Sequence, residues 1–357
     1  MTLYAVDDVS DAYDVTRRFL FPFTLGRWLK LALVVLFIGG ASAGFPAGFD
    51  TTVPVDQPTG PEFGAEPEFD AGPASGADIE QFLPLILTLA ALVVVFVLAF
   101  VVIGSIMEFV FVASLTEGDV TVRRYVGRYW GKGLRLLGFR IVLGLLTAAI
   151  VAIPVVVASV VFFDPGLGIG GAAGALALLA PVLLFVVLVA TLVSGFTTMF
   201  VVPVMLLEDR GVLSAWGRFW PTLRGQWKQY FAYVVLELVL SIAAGVVVAV
   251  VTALALAVLA IPFGMLGVLT VVVAGGFGDL SLAVVALLSI GAVVFTLLAF
   301  FVVLLVQVPV VTYFRYYALL VLGDTDESLD LVPERRRRVR GSGSSDDPAS
   351  MGDHPAA

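Results

Sequence analysis

Long, mostly apolar runs constrain this chain more than any motif. Six of them, near residues 29–45, 83–107, 140–162, 178–203, 230–258 and 284–310, are each about as long as a helix needs to cross a hydrocarbon layer, roughly 20 residues for about 30 Å. Sixty per cent of the 357 residues are hydrophobic and 13% are charged. A soluble domain carries about 25% charged residues, and it has too little interior to hide this much Val, Leu, Ala and Phe. Backbone polar groups in lipid must be satisfied within the segment, so helices are the economical answer. The expected fold class is all-α: a polytopic integral membrane helix bundle of about six transmembrane helices.

The connections alternate in charge. Residues 46–81 hold eight acids and no Lys or Arg, and they are rich in Pro and Gly, which predicts a flexible acidic loop. Residues 163–177 and 262–283 also lack basic residues. All 20 Lys and Arg fall in the other connections and at the two ends of the chain. The positive-inside rule then predicts both termini inside, the acidic loop outside and a multi-pass protein of the cell membrane. The piece 264–274 is apolar but short, and reads as an outer interfacial or re-entrant element closed by Gly275, Gly276, Gly278 and Asp279. Thr16-Arg17-Arg18 followed by Ala41-Ser42-Ala43 imitates an export signal, but Asp7, Asp8, Asp11 and Asp14 make the leader acidic, so the first span is read as uncleaved.

Several chemistries are closed. Cysteine is absent and the single histidine, His354, lies in a polar tail, which leaves no thiolate, imidazole or soft metal ligand within the bundle. No phosphate-binding or nucleophile-elbow motif is present, and the glycine-rich Gly166–Gly171 follows an apolar run without a strand, so it reads as a turn. The expectation is no catalytic residue, no metal, no cofactor, no nucleic acid and no enzymatic activity.

The basic connections resemble one another. YVGRYW at 125–130 aligns with AWGRFW at 215–220, VPV recurs at 202–204 and 308–310, and RFLFPFTLGRW at 18–28 echoes RFWPTLRGQW at 218–227. This suggests three elbow–hairpin repeats, approximately 1–107, 108–204 and 205–310, with a short inner-face segment to 323 and a disordered cytosolic tail over 324–357. Each elbow is an amphipathic segment: Val122, Tyr125, Val126, Tyr129, Trp130, Leu134 and Leu137 in one, and Val212, Leu213, Trp216, Trp220, Leu223 and Trp227 in another. Trp and Tyr favour the headgroup layer and Arg snorkels towards phosphate. Arg124, Arg128, Tyr129, Trp130, Trp216, Arg218, Trp220 and Trp227 are therefore the candidate inner-leaflet interface. Its role is anchorage in the bilayer, an anionic headgroup site, or docking of a cytosolic or membrane partner protein. Arg335 to Arg338 form a further basic cluster, read mainly as a topology signal.

Intramembrane polar groups are functional candidates by default. Glu237 lies within the fifth run and Gln307 at a matching depth in the sixth, so a Glu237–Gln307 hydrogen bond is the expected clasp between them. Glu108 and Glu117 read as interfacial, and Arg315 as lying just outside the membrane. On this reading the protein is a non-enzymatic scaffold or accessory protein; the alternative is a small-solute or lipid transporter with Glu237 as its polar element.

Two resemblances accompany these features. The segment VPVMLLEDRGVLSAWGRFW at 202–220 resembles the elbow in the membrane domain of glycerophosphoryl diester phosphodiesterases, where an acidic-Gly turn leads into an amphipathic helix. The hydrolytic residues of those enzymes belong to a separate soluble domain with no counterpart in these 357 residues, so the resemblance carries over no catalytic residue. LYAVDD at 3–8 with RWLKLA at 27–32 resembles a haloarchaeal family of multi-pass membrane proteins, and the acidic, Arg-over-Lys, Cys-free composition suits a halophilic archaeon.

Overall fold

The computed structural model describes residues 4–41, 76–119, 121–162, 168–276 and 281–343, and within them the chain is helical throughout, with no strand. Ten α-helices follow in order: α1 (Tyr4–Leu20), α2 (Leu25–Ala41), α3 (Gly76–Glu117), α4 (Val122–Phe162), α5 (Gly168–Phe196), α6 (Val202–Glu208), α7 (Val212–Gly225), α8 (Trp227–Val273), α9 (Leu282–Thr325) and α10 (Pro333–Gly343). A π-helical turn, Thr197–Val201, joins α5 to α6. Among the described residues, five helical segments are long and apolar enough to cross a membrane, against the six expected: Phe82–Glu117, Arg123–Pro154, Leu179–Glu208, Trp227–Val273 and Leu282–Thr325. The expected first span corresponds to the 17-residue α2, about 25 Å at 1.5 Å per residue; its residues 42–45 lie outside the described residues, as does nearly all of the acidic loop 46–81.

The helices are longer than the apolar runs they contain. α8 has 47 residues, about 70 Å, so residues 264–274 are not a separate re-entrant piece. They continue α8 to Val273, after which Gly275 and Gly276 adopt positive φ and end it. The helix continues through Pro262 although that residue has no N–H to donate, because an apolar segment in lipid has nowhere else to place its remaining amide groups. The second elbow likewise fuses with its span as the 41-residue α4, whereas the third remains a separate helix, α7, set off from α8 by non-helical backbone at Gln226. Gly168–Gly171, expected in a turn, forms the start of α5.

Packing divides the molecule into two ends. Residues 82–98 of α3 and the corresponding parts of α4, α5, α8 and α9 expose their Leu, Val and Phe side chains. At the opposite end, where the arginines and lysines lie, residues 104–115 of α3 and 314–323 of α9 are buried on every side. A helix enclosed all round must be a core element. α2 packs between α3 and α9, α1 lies across α9 and α8, and the π turn with α6 touches α3, α7 and α9.

Close approach within this core depends on sequence detail. α4 presents Tyr125, Tyr129, Gly133 and Leu136 to it, rotated from the stripe ending at Leu134 and Leu137 that periodicity suggests. Gly133 sets that rotation: a Cβ there would stand 2.5 Å from Ile106 Cγ1 and 3.0 Å from Ile106 Cα on α3. The ring pairs Tyr125–Tyr129 and Phe109–Tyr129, 6.1 and 6.3 Å between centroids, fill the adjoining space.

The chain from Asp324 is ordered as far as Gly343, against the expected disordered tail. α9 runs on to Thr325, a 3-10 turn covers Glu327–Leu329, and α10 docks on α1. Ion pairs explain the order: Arg336 bonds Asp324 and Asp330, and Arg340 reaches Asp8, Asp11 and Asp324 at 3.0, 2.8 and 2.5 Å. The remaining tail, 344–357, lies outside the described residues.

Candidate functional site

The site builds up from one broken hydrogen-bond register. In the π turn the amide of Val202 bonds Thr197 O, five residues back. The next donor in that register would be Pro203, which has no N–H, so the Thr198 carbonyl has no intrahelical partner there. Arg315 on α9 fills the vacancy, its Nη1 donating to Thr198 O at 2.5 Å. Short π segments occur often at functional positions, and here VPV at 202–204 produces one.

Arg315 also bonds Glu108 through Nη2 and Oε2, and its guanidinium lies 5.7 Å from the Phe111 ring centroid. Glu108 is fully buried and Arg315 is 2% exposed. Arg140 on α4 completes the cluster, its Nη2 donating to Glu108 Oε1 at 3.3 Å and to Thr198 Oγ1 at 2.9 Å. Trp216 on α7 donates its indole N–H to Thr197 Oγ1 at 3.0 Å. α3, α4, α9 and the π turn are thus tied together by charge-assisted bonds, and α7 joins them through a neutral one, in an apolar surround where an uncompensated ion is costly and a satisfied pair is highly specific in geometry.

The expected Glu237–Gln307 clasp is not formed. Glu237 on α8 is 3% exposed, yet neither carboxylate oxygen has a hydrogen-bond partner, and Gln307 is half-buried elsewhere on α9. Glu237 instead lies within electrostatic range of Arg315, beside Tyr233, whose ring packs on Tyr317 at 5.1 Å and edge-on to Phe200 at 4.9 Å. The Tyr233 hydroxyl faces the Glu237 carboxylate without a well-formed hydrogen bond, and Arg315 Nε and Arg140 Nη1 are buried without a partner.

The inner-leaflet candidates split into two groups. Arg124, Arg128, Trp130, Trp220 and Trp227 are exposed on the rim of the basic end, with Arg128 over Tyr129, Arg224 over Trp220 and Lys228 over Trp227 at 5.6–6.0 Å. Tyr129, Trp216 and Arg218 turn inward and do structural work instead. Tyr129 is buried among Phe109 and Tyr125. Arg218 braces α7, bonding Glu208 at 3.2 Å, Asp326 at 3.4 Å and Ser328 at 2.6 Å. Beside it Gln226 donates to Thr325 O at 2.7 Å, and the Tyr230 and Thr325 hydroxyls meet at 2.8 Å.

Other charges at this end are matched locally. Lys132 donates to Met205 O at 3.0 Å and pairs with Asp209 at 2.8 Å, capping α6 with a cation at its negative dipole end. The Lys132 ammonium holds the Asp209 carboxyl below its ordinary range. Asp8, by contrast, is pushed up to about 8, first by burial and then by the neighbouring charge of Asp324, with Arg340 opposing.

Sequence reasoning placed Glu108 and Arg315 at the membrane margin and found no second buried charge. Nothing in the hydropathy of 83–107 distinguishes a glutamate beyond the end of the run that faces water from one that faces α9. The available signal was the proline of the VPV motif, which removes a donor and so calls for an outside one. No curated protein and no solved structure matches the chain, so the likeness of 202–220 to phosphodiesterase membrane elbows finds no counterpart there. The family model described as "Family of unknown function (DUF7544)" matches residues 3–332, and the chain belongs to that family.

Proposed function

We propose that this is a non-enzymatic integral membrane scaffold or accessory protein of the cell membrane, its amphipathic elbows lying on the inner leaflet. The observation that carries the reading is the concentration of the packed ion-pair networks at the basic end, while among the described residues the opposite halves of the long helices present mainly apolar side chains outward, with hydroxyls such as Thr88, Ser289 and Thr296 bonded back to their own helices. α1, the start of α4, α7 and α10 form a layer around buried α3 and α9, rimmed by Trp130, Trp220 and Trp227. Basic residues at one end favour both termini inside, and exposed tryptophans favour the headgroup level. No catalytic role, cofactor or metal is part of the reading, and its partners are the bilayer, anionic headgroups and a cytosolic or membrane protein.

A second reading, transport of a small solute or lipid, is favoured by the unpartnered Glu237 carboxylate and the orphan polar atoms around it. Coupled carriers place polar groups within the membrane in this way. The absence of native cysteine makes the test clean. Gly60→Cys, Trp130→Cys, Glu237→Cys and Gln307→Cys variants are each labelled from either side with an impermeant thiol reagent. The scaffold reading expects position 60 to label only from outside, position 130 only from inside, and positions 237 and 307 not at all. Labelling of position 237 from the inside transfers the case to the transporter.

A further inference from the structure

Apart from the buried ion network, the basic end carries an open cleft of about 620 Å³ between α1, the start of α2, the end of α3 and α10. Four arginines line it, Arg18, Arg27, Arg335 and Arg338, against two acids, Glu117 and Glu334. The arginines of α10 differ in how they are compensated. Arg336 and Arg340 are held by the carboxylates of Asp324 and Asp330, and of Asp8, Asp11 and Asp324. Arg335, next to Arg336, donates to the Tyr316 hydroxyl and lies 5.3 and 5.4 Å from the Phe19 and Tyr316 ring centroids. Arg27 donates to Phe19 O at 2.9 Å and lies 5.7 Å from the same Phe19 ring.

These partners are neutral. They fix the direction of two guanidinium planes without cancelling their charge, and among the described residues neither Arg27 nor Arg335 forms an ion pair. Arg338 at the rim has a 73% exposed side chain, and its contact with Glu334 is 3.7 Å long, a geometry that contributes little. Its backbone carbonyl accepts from Arg18 Nη1 at 3.4 Å, which draws a further cation towards the same space. Oriented guanidinium forks with unspent charge are the arrangement that recognises phosphate oxygens in pairs.

The cleft is amphiphilic as well as cationic. Val15, Phe19, Leu331 and Val332 line its apolar wall, and between the lining residues Phe19 and Arg27 in sequence, Phe21 and Phe23 of the link from α1 to α2 and Leu25 at the start of α2 are each more than half exposed. A free phosphate has no apolar part for such a lip, whereas a phospholipid does. We propose that the cleft binds the phosphate ester of an anionic phospholipid, with Arg27 and Arg335 as oriented phosphate donors, Arg338 as the rim charge, and the glycerol and acyl region leaving over Phe21, Phe23 and Leu25. The inference rests on the scaffold reading only for which leaflet supplies the lipid. Nanodiscs expose both faces, so an inverted orientation changes the cysteine-labelling pattern and leaves lipid binding intact.

The test uses the full chain in phosphatidylcholine nanodiscs containing a minority of phosphatidylglycerol, with retained lipid counted by native mass spectrometry after release into detergent. Wild type is expected to retain phosphatidylglycerol over phosphatidylcholine, and Arg27→Gln/Arg335→Gln to lower that preference about ten-fold or more. Arg338→Glu is expected to lower it without disturbing Phe19 or Tyr316, and decides the matter if the double variant does not fold. Arg337→Gln, on the same helix but outside the cleft, is expected to match wild type. No preference in the wild type, unchanged preference in Arg338→Glu and the double variant, or an equal loss in Arg337→Gln overturns the proposal. Displacement of the lipid by millimolar inorganic phosphate or glycerol 3-phosphate also overturns it, in favour of a soluble phosphate ester.

Discussion

Replacing Arg315 by methionine tests whether the basic end is held by its buried charges. The substitution conserves much of the side chain's volume and removes its charge. It leaves Glu108, fully buried, without its bond to Arg315 and with Arg140 at 3.3 Å beside it, and it leaves the Thr198 carbonyl without its 2.5 Å donor. Breaking a buried pair from one side costs about 3–5 kcal/mol, and an orphaned buried carbonyl adds about 1–3 kcal/mol. The two overlap where Arg140 shifts to compensate, so Arg315→Met is expected to lose about 3–5 kcal/mol. Glu108→Gln is expected to lose a comparable amount, because Arg140 and Arg315 then lose the carboxylate that bonds both of them. Arg140→Met should cost less, since its side chain is 12% exposed and the Glu108–Arg315 bond survives it.

The double variant Glu108→Met/Arg315→Met separates pairing from packing. With both charges gone the desolvation penalty goes too, and the double is expected to recover about 2 kcal/mol or more of the summed single losses. Denaturant titration in detergent, followed by the fluorescence of the five tryptophans, measures each term. A loss below about 1 kcal/mol for Arg315→Met, or strictly additive singles, would falsify the account in which these ions meet in a low-dielectric interior.

Three further outcomes follow from the geometry. Gly133→Ala should destabilise by about 1–3 kcal/mol, although the same change in an open helix stabilises by about 1 kcal/mol, because the added Cβ meets both the side chain and the backbone of Ile106; the thermal midpoint reads the sign. Asp8, pushed up to about 8, keeps its proton in the fold across a range where the unfolded chain has released it. The folded state then binds more protons than the unfolded one, so this contribution to stability falls as pH rises from about 4 to about 8, and Asp8→Asn should flatten that part of the profile in hydrogen-exchange protection of α1 and α10. Trp216→Phe removes the donor to Thr197 Oγ1 and should cost about 1 kcal/mol, visible as a lower denaturation midpoint with an unchanged slope.

The length and spacing of the apolar runs, and the segregation of arginine from acidic connections, pointed without any structure to a helical chain of about six spans whose ends differ in charge; among the described residues the chain is helical and five helices are long and apolar enough to cross a membrane. Those properties are local, since a lipid-facing segment must satisfy its own backbone whatever its neighbours do. The amphipathic elbows were legible for the same reason, and so were the positions of Trp130, Trp220 and Trp227. Periodicity also put Tyr129, Trp216 and Arg218 on the exposed rim, because an aromatic or arginine on an amphipathic face suits a headgroup and a core cavity equally well.

Tertiary structure decided which charges meet. Glu108 and Arg315 are separated by 207 positions, and each ends an apolar run in a way that reads as interfacial; only the enclosure of α3 and α9 by their neighbours makes them a buried pair. Glu237 shows the converse: its place in an apolar run singles it out, and it is buried on α8, but its expected partner lies on another part of α9. The ordering of 324–343 was equally hidden, since a run of arginines after a span reads as a solvated tail until Asp8, Asp11, Asp324 and Asp330 are brought beside it. Hydropathy and periodicity record how each segment meets its solvent, whereas a long-range ion pair depends on the relative rotation of two helices. That rotation is set by contacts such as Gly133 against Ile106, which exist only after folding.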